Sequence, residues 1–332
     1  MLPIAIFAFN RPDLLQRTLA ALLANELADT AALTIFCDGP RHEQDEPATR
    51  AVRTLAKSLQ GVADVEVVER PRNMGCAASI IDGLTEMFRL HERLIVIEDD
   101  IVTSPYTLRF LSEGLARYAD NEKVFNIAAW TPPHIARNLP TNYPYDVYAI
   151  PRFNCWGWAS WRDRFQDIDW DVKDYQEFKN SPQLRRAFNV GGEDLSPMLD
   201  EQMEGKIDTW DIRVEYARFK KNMLGINPVR SYTLNIGMGS GTHTTTAATY
   251  WDSDISLAVE HPCFINDVTV DSRIHKIYHT CYSPKKHSLP VRAIKSVFGN
   301  FSFYSYKKAC GQKKTVRGSK NSRRLSNGTP AI

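Results

Sequence analysis

The chain has no C-x-x-C pair, and none of its six cysteines, at 37, 76, 155, 263, 281 and 310, stands at the spacing of a metal site. A cysteine-built metal centre is therefore excluded, and free thiols in a reducing compartment are the expected state. Long apolar runs are missing as well. The stretch Leu2 to Phe9 is eight residues long, has no basic region before it and runs straight into Asn10-Arg11-Pro12. It reads as a first strand, not as a signal peptide or membrane span, and the expected location is cytoplasmic.

Acidic residues are absent after Asp271. From 272 onward there are 14 Lys and Arg and no Asp or Glu, so the modest net charge of +2 conceals a body of −12 and a tail of +14. Leu289, Val291, Ile294, Val297, Phe298, Phe301, Phe303 and Tyr304 alternate with these basic residues. Over 271–310 this pattern suits either peripheral contact with an anionic membrane face or packing on the preceding domain. Residues 311–332 are Lys, Arg, Ser, Gly and Asn in the main, and disorder is expected there. No recognition motif accompanies the charge, so no specific nucleic-acid partner is expected.

What is present is a globular body: 43% of the 332 residues are apolar, enough for a substantial core. Short apolar runs at Ile4 to Phe9, Leu33 to Cys37, Val65 to Val68, Leu94 to Ile97 and Val124 to Ala128 read as strands. Between them lie helical stripes, Leu15, Leu19, Leu22 and Leu23 in one, Ile80, Leu84 and Phe88 in another. Such alternation predicts an α/β fold, Rossmann-like, with a mostly parallel central sheet and helices on both faces. Ligands of such sheets sit at the carboxyl ends of the strands. The polar strand ends are Asn10-Arg11, Asp38-Gly39, Arg70 to Asn73 and Glu98 to Asp100. In Asn73-Met74-Gly75, which opens a helix, free N–H groups are expected to face a phosphate, the alternative being a plain turn.

Glu98-Asp99-Asp100 is the most informative of these ends. Carboxylates where a buried strand meets solvent suit Mg²⁺ or Mn²⁺, hard cations that take one or two protein oxygens and complete their shell with waters and a substrate diphosphate. That chemistry fits a nucleotide-sugar donor; the alternative is an acidic strand end that caps the next helix. Downstream, FNCWGWASWRDRFQDIDW at 153–170 holds Trp156, Trp158, Trp161 and Trp170, rings that serve either as core or as flat platforms for a sugar. After the loop Gly191-Gly192-Glu193-Asp194, whose acids read as loop and helix-capping groups, a helix leads to Asp208-Thr209-Trp210-Asp211. A second helix over 211–222 is predicted to turn Arg213, Arg218, Lys220 and Lys221 outward. Strands follow up to Asn235, and then a polar glycine-rich loop ending at His243, which is either an exposed loop histidine or a metal or phosphate ligand.

With these residues in hand, the chain resembles the inverting glycosyltransferases of GT-A fold. It is most similar to the N-acetylglucosaminyltransferase of Golgi N-glycan branching and to family 2 enzymes without a membrane anchor. The similarity runs from about residue 3 to 243 and is most specific in LIVIEDDIVTSPYTLRFL and in IAAW at 127–130. It implies that residues 1–130 form the donor-binding half and 131–270 an aromatic-rich acceptor-side half. It further implies Asp100 as the metal-binding acid, Glu98 and Asp99 beside the donor ribose and sugar, Arg11 beside the nucleotide and Asp38 reading the uracil. Gly157-Trp158 matches the acceptor-side Gly-Trp, and Trp210-Asp211 the Trp-Asp that carries the catalytic base.

The family's basic residue after the third strand is replaced here by Cys76-Ala77-Ala78-Ser79. Its pair of acids after the Trp is reduced to Asp211, with Asp208 as a rival base. What the resemblance implies is a Mn²⁺- or Mg²⁺-dependent enzyme acting on a UDP-sugar and a glycan or lipid-linked saccharide. Two rivals stand beside it. A sugar-phosphate nucleotidyltransferase would need a glycine-rich loop with Arg and Lys after strand one, which Asn10-Arg11-Pro12-Asp13 does not offer. A non-catalytic carbohydrate-binding module is opposed by Asp38, Asp100 and Asp211 occurring together.

Overall fold

A computed structural model of the protein describes residues 1–237 and 253–283. Four strands, β1 (Leu2–Ala8), β2 (Ala31–Cys37), β3 (Asp64–Glu69) and β4 (Arg93–Glu98), pair in parallel in the order β3-β2-β1-β4. Between and after them run the helices α1 (Pro12–Leu23), α2 (Glu46–Lys57), α3 (Cys76–Leu90) and α4 (Thr107–Arg117). After β5 (Ile101–Thr103) come β6 (Val124–Ala128), β7 (Val147–Ile150), β8 (Trp158–Trp161), β9 (Leu224–Pro228) and β10 (Thr233–Asn235). The main sheet has eight strands in the order β3-β2-β1-β4-β8-β6-β9-β7, while β10 and β5 form a separate antiparallel pair. β8 runs antiparallel to both of its neighbours, β4 and β6, so one continuous sheet spans the two halves of the chain.

The sheet is covered on both faces because its strands alternate two apolar sets. Ile4, Ile6, Leu33, Ile35, Ile95 and Ile97 meet Leu15, Leu19 and Leu22 of α1, Val52 of α2 and Leu111 and Leu115 of α4. Their neighbours Ala5, Phe7, Phe36, Leu94 and Val96 point the other way, onto Ile80, Leu84 and Phe88 of α3 and onto Trp158, Trp210 and Val214. A period of two along each strand is what the pleat requires. This is the Rossmann-like, mostly parallel α/β arrangement of GT-A type that the sequence predicts. Leu23 departs from its stripe: it is 37% exposed, at the rim of the α1 face.

Past the sheet, a helical layer (Val172, Tyr175, Phe178, Phe188, Leu195, Leu199, Ile212, Tyr216) forms its own cluster. The helix Asp211–Lys220 joins it to the sheet. Arg218 on that helix is buried rather than outward. Its guanidinium donates to Glu215 at 3.0 and 2.8 Å, and Glu215 in turn accepts the N–H of Phe153 at 2.6 Å. A buried charge persists only when paired in this way. Asp194 stands at the start of helix Leu195–Met203, yet its carboxylate goes to Arg152, at 2.9 and 2.7 Å, and caps no helical N–H.

The helix Ser272–Tyr282 packs Ile274 and Tyr278 against Tyr148 and Ile150 of β7. The beginning of the basic segment 271–310 is therefore docked on the domain, and residues 284–332 lie outside the described residues. Among the described residues no helix is long and apolar enough to cross a membrane. Cys37, Cys76, Cys155, Cys263 and Cys281 are all free thiols.

Candidate active site

The carboxyl ends of β1, β2 and β4 open into a pocket of about 620 Å³. Because β8 runs the opposite way, it is the start of that strand which reaches the same rim, and Trp156 joins the lining together with Asn235 and Gly237 from the end of β10. A smaller hollow of about 360 Å³ beside α2 is lined by Arg50, Arg53, Glu46 and Glu69. Its charges pair among themselves, Arg53 with Glu69 at 3.5 Å and Arg50 with Glu46 at 3.8 Å.

Asp38 closes one end of the large pocket. Its carboxylate accepts the backbone N–H of Gly39 at 2.9 Å and of Met74 at 3.0 Å, and the side-chain amide of Asn73 at 2.9 Å. Burial raises its pKa, and the N–H groups of Met74, Gly39 and Gly75 pull the other way. These bonds correct one sequence expectation. The N–H of Met74 is spent on Asp38 and that of Gly75 on the Asn73 side chain at 3.1 Å, so neither is free for a phosphate. Asn73 serves as the strut between two loops.

Glu98, Asp99 and Asp100 occupy the middle of the pocket. Their backbone is pinned by Phe7 O to Asp99 N at 3.0 Å, by Thr18 Oγ1 donating to Asp99 O at 2.9 Å and by Ile236 N donating to Asp100 O at 2.8 Å. Arg11, held at the end of β1 by the proline that starts α1, lays one edge of its guanidinium on Asp99 through Nη2 and Nε. Its remaining Nη1 reaches Asp100 Oδ2 at 2.9 Å. Burial pushes Asp99 up to about 6 against the pull of Arg11, with the charge of Asp100 adding to the rise. Burial, then Asp100 and Asp99, raise Glu98 well above the ordinary carboxylate range.

Two of the three carboxylates thus share one guanidinium, and the Glu98 carboxylate accepts no hydrogen bond among the described residues. Among those residues no three Asp, Glu, His or Cys side chains converge as a ready-made ion cage. A divalent cation that binds through one or two carboxylates and a diphosphate needs no such cage. The all-oxygen donors and the surplus negative charge fit Mn²⁺ or Mg²⁺. The chain also closes tightly over this site: a Cβ on Gly237 would lie 2.1 Å from Asp100 Oδ2.

Asp208 lines the pocket, and Asp211 does not. Asp211 begins the helix Asp211–Lys220, where Oδ1 accepts from the Thr209 hydroxyl and from Ile212 N at 3.0 Å. Its Oδ2 faces the Cys155 thiol at 4.0 Å. Burial and the charges of Asp211 and Glu98 keep that thiol protonated.

Trp158 and Trp210 do not stand at the acceptor side as the resemblance implies and take the core alternative instead. Trp158 is fully buried, stacked on Phe165 at 5.0 Å and on Trp210 at 5.9 Å between ring centroids, and Trp210 is 4% exposed. Neither offers a face to a sugar; both are core, Trp158 because β8 is a central strand and Trp210 because it packs on Trp158. The ring at the pocket is Trp156, whose centroid lies 4.2 Å from that of Trp130. Its carbonyl is fixed by Thr233 Oγ1 at 2.6 Å, and Gly157, with φ +79°, supplies the turn into β8. Arg41, held by Asp45 at 2.7 Å and laid 5.0 Å over the Phe9 ring, also borders the pocket, a contact that no local sequence pattern announces. His243 lies outside the described residues.

No protein-family model matches the chain. Solved structures similar to it include the mannosyltransferase PcManGT from Pyrobaculum calidifontis in complex with GDP-Man and Mn²⁺, with 13% identity, 66% of this chain and 69% of that chain covered and a TM-score of 0.39. S. aureus TarS 1-349 has 8% identity, with 70% of this chain and 60% of that chain covered and a TM-score of 0.37. A further structure of S. aureus TarS has 11% identity and a TM-score of 0.32, and this chain spans 30% of its length while 51% of this chain is covered. Likeness of this size assigns no activity, donor or acceptor to the chain; those readings rest on the residues of the pocket.

Proposed function

We propose that the protein is a divalent-cation-dependent glycosyltransferase. It moves a sugar from a nucleotide-sugar donor, UDP-linked and with UDP-GlcNAc as the first choice, to a hydroxyl of a glycan or lipid-linked saccharide, with inversion at the anomeric carbon. The observation that carries this reading is one pocket that gathers Asp38, Arg11 with the Glu98-Asp99-Asp100 carboxylates, and Asp208 and Trp156 in its lining.

In this reading Asp38 accepts an N–H of the base, and Arg11 donates to the phosphates. Asp100, with Glu98 beside it, would hold Mn²⁺ or Mg²⁺, with His243 as a further candidate ligand for the cation or a phosphate. The cation when bound stabilises the charge left on the diphosphate. As the acceptor oxygen forms its bond to the anomeric carbon, the bond from that carbon to the phosphate oxygen breaks and its electron pair leaves with the nucleoside diphosphate. Asp211 takes the acceptor proton on Oδ2, its Oδ1 being fixed by Thr209 and Ile212. A positioned base of this kind contributes about 10²- to 10⁴-fold.

One observation favours a second assignment of the base. Asp208, not Asp211, lines the pocket. The basic residues beyond 271 support peripheral contact with an anionic membrane at the cytoplasmic face, which suits a lipid-linked acceptor.

The test is turnover of a donor panel that includes UDP-GlcNAc, UDP-glucose and GDP-mannose, with and without Mn²⁺, by the full chain and by Asp100→Asn, Asp208→Asn and Asp211→Asn. Metal-dependent turnover of one donor is expected, lost in Asp100→Asn together with donor binding. Asp211→Asn should lower kcat with donor binding intact; loss of kcat in Asp208→Asn alone moves the base to Asp208. No metal-dependent donor binding across the panel overturns the reading in favour of a carbohydrate-binding module.

A further inference from the structure

The geometry points to Arg11 as a latch that makes cation binding at Asp100 conditional on the donor diphosphate. This inference rests on the proposed nucleotide-sugar reading of the pocket. The two edges of the guanidinium have different partners. Nε and Nη2 hold Asp99, whose side chain is 3% exposed and whose carboxylate would otherwise be buried without a counter-charge. Nη1 holds Asp100 Oδ2 at 2.9 Å, where the Asp100 side chain is 12% exposed and lines the pocket. Breaking the first edge strands a buried charge, which is costly. The second edge is therefore the one that releases.

Both oxygens of Asp100 are engaged. Oδ1 has the Asn235 amide at 3.5 Å, Oδ2 has Arg11, and Gly237 leaves no space on that side. A cation arriving alone places a second positive charge on the oxygen that Nη1 holds, and the repulsion drives Nη1 off with no new acceptor. A cation arriving with a diphosphate gives Nη1 a phosphate oxygen in exchange, while Asp99 keeps the other edge in place. Arg11 thus couples the two ligands. By linkage, nucleotide tightens the cation by the same factor as the cation tightens nucleotide.

The experiment is Mn²⁺ binding to the full chain, read from the free-ion electron paramagnetic resonance signal, with and without UDP. In wild type UDP should tighten Mn²⁺ about tenfold or more, within the usual range of coupling. Arg11→Gln should bind Mn²⁺ alone several-fold more tightly than wild type, with UDP then adding little. Arg11→Lys keeps the charge but loses the planar fork that engages Asp99 with one edge and Asp100 with the other. It should shift in the same direction as Arg11→Gln, which a merely electrostatic role would not produce.

Equal Mn²⁺ affinity with and without UDP in wild type overturns the latch, and so does an Arg11→Lys variant that behaves as wild type. Asp100→Asn separates the two levels of inference. Mn²⁺ binding that requires Asp100 and nucleotide but ignores Arg11 sinks the latch alone. Mn²⁺ binding indifferent to Asp100 and to any nucleotide sinks the donor-site reading and the latch with it.

Discussion

The hydroxyl of Tyr148 on β7 lies 2.9 Å from that of Tyr278 on the helix Ser272–Tyr282, in the core. Thr131 Oγ1 lies 2.9 Å from the same Tyr148 hydroxyl, so a chain of three hydroxyls fastens this helix to the sheet edge. Tyr278→Phe removes one buried hydrogen bond and should cost about 1 kcal/mol. Tyr278→Ala also opens a cavity and should cost about 3–5 kcal/mol. Urea midpoints decide it: an unchanged midpoint for Tyr278→Ala would show that the helix does not support the domain.

Trp156 and Trp158 stand two residues apart and should respond oppositely. Trp158→Ala empties a fully buried site in a central strand, at a cost of about 3–5 kcal/mol. Trp156→Ala, at the rim, should leave the denaturation midpoint far less changed and raise KM for donor or acceptor. Parallel denaturation and saccharide-binding titrations compare the two; a larger loss of stability for Trp156→Ala would refute the assignment.

Gly237→Ala places a methyl group where Asp100 Oδ2 now sits, 2.1 Å from the new carbon, and the carboxylate must turn aside. Metal-dependent nucleotide binding should weaken at least about tenfold, a loss of roughly 1.4 kcal/mol. Far-UV circular dichroism should stay unchanged. Wild-type nucleotide affinity in this variant would mean that Asp100 is not needed where it stands.

Hydrogen bonds from Arg41, opposed by partial burial and joined by one from Asn10, hold Asp45 well below its ordinary value of 3.8. A carboxylate depressed in the folded state lends stability that is fully present above the unfolded value and is lost as pH falls towards the folded one. Urea midpoints should therefore drop below about pH 4. Asp45→Asn should be less stable at neutral pH and show a flatter acid limb. An acid limb identical to wild type would remove Asp45 from the account.

Much of the pocket at the strand ends was legible in the sequence, because period-two strands with polar ends announce both the sheet and its rim. All five apolar runs read as strands are strands, and Arg11, Asp38, Glu98, Asp99 and Asp100 do meet in one pocket. What the sequence hid depends on contacts between distant segments. Nothing near Trp158 shows that β8 inserts between β4 and β6, and without that fact Trp156 and Trp158 look alike. Arg218 reads as an outward cation until Glu215 and Phe153 N are seen to enclose it. The N–H of Met74 looks free until Asp38, 36 residues earlier, is found to accept it.

β8 hydrogen-bonds along both of its edges, and without it the main sheet would part into β3-β2-β1-β4 and β6-β9-β7. A fragment ending at residue 130 would leave β4 with an uncovered edge, the kind of surface that invites aggregation. Exchange of the half after residue 130 for another, in the laboratory or by recombination, has to bring a strand that pairs on both sides in the same register. Variation that leaves the fold intact is thereby confined to loops and to the helical layer, where a change of side chain does not ask the pocket at the strand ends to be rebuilt.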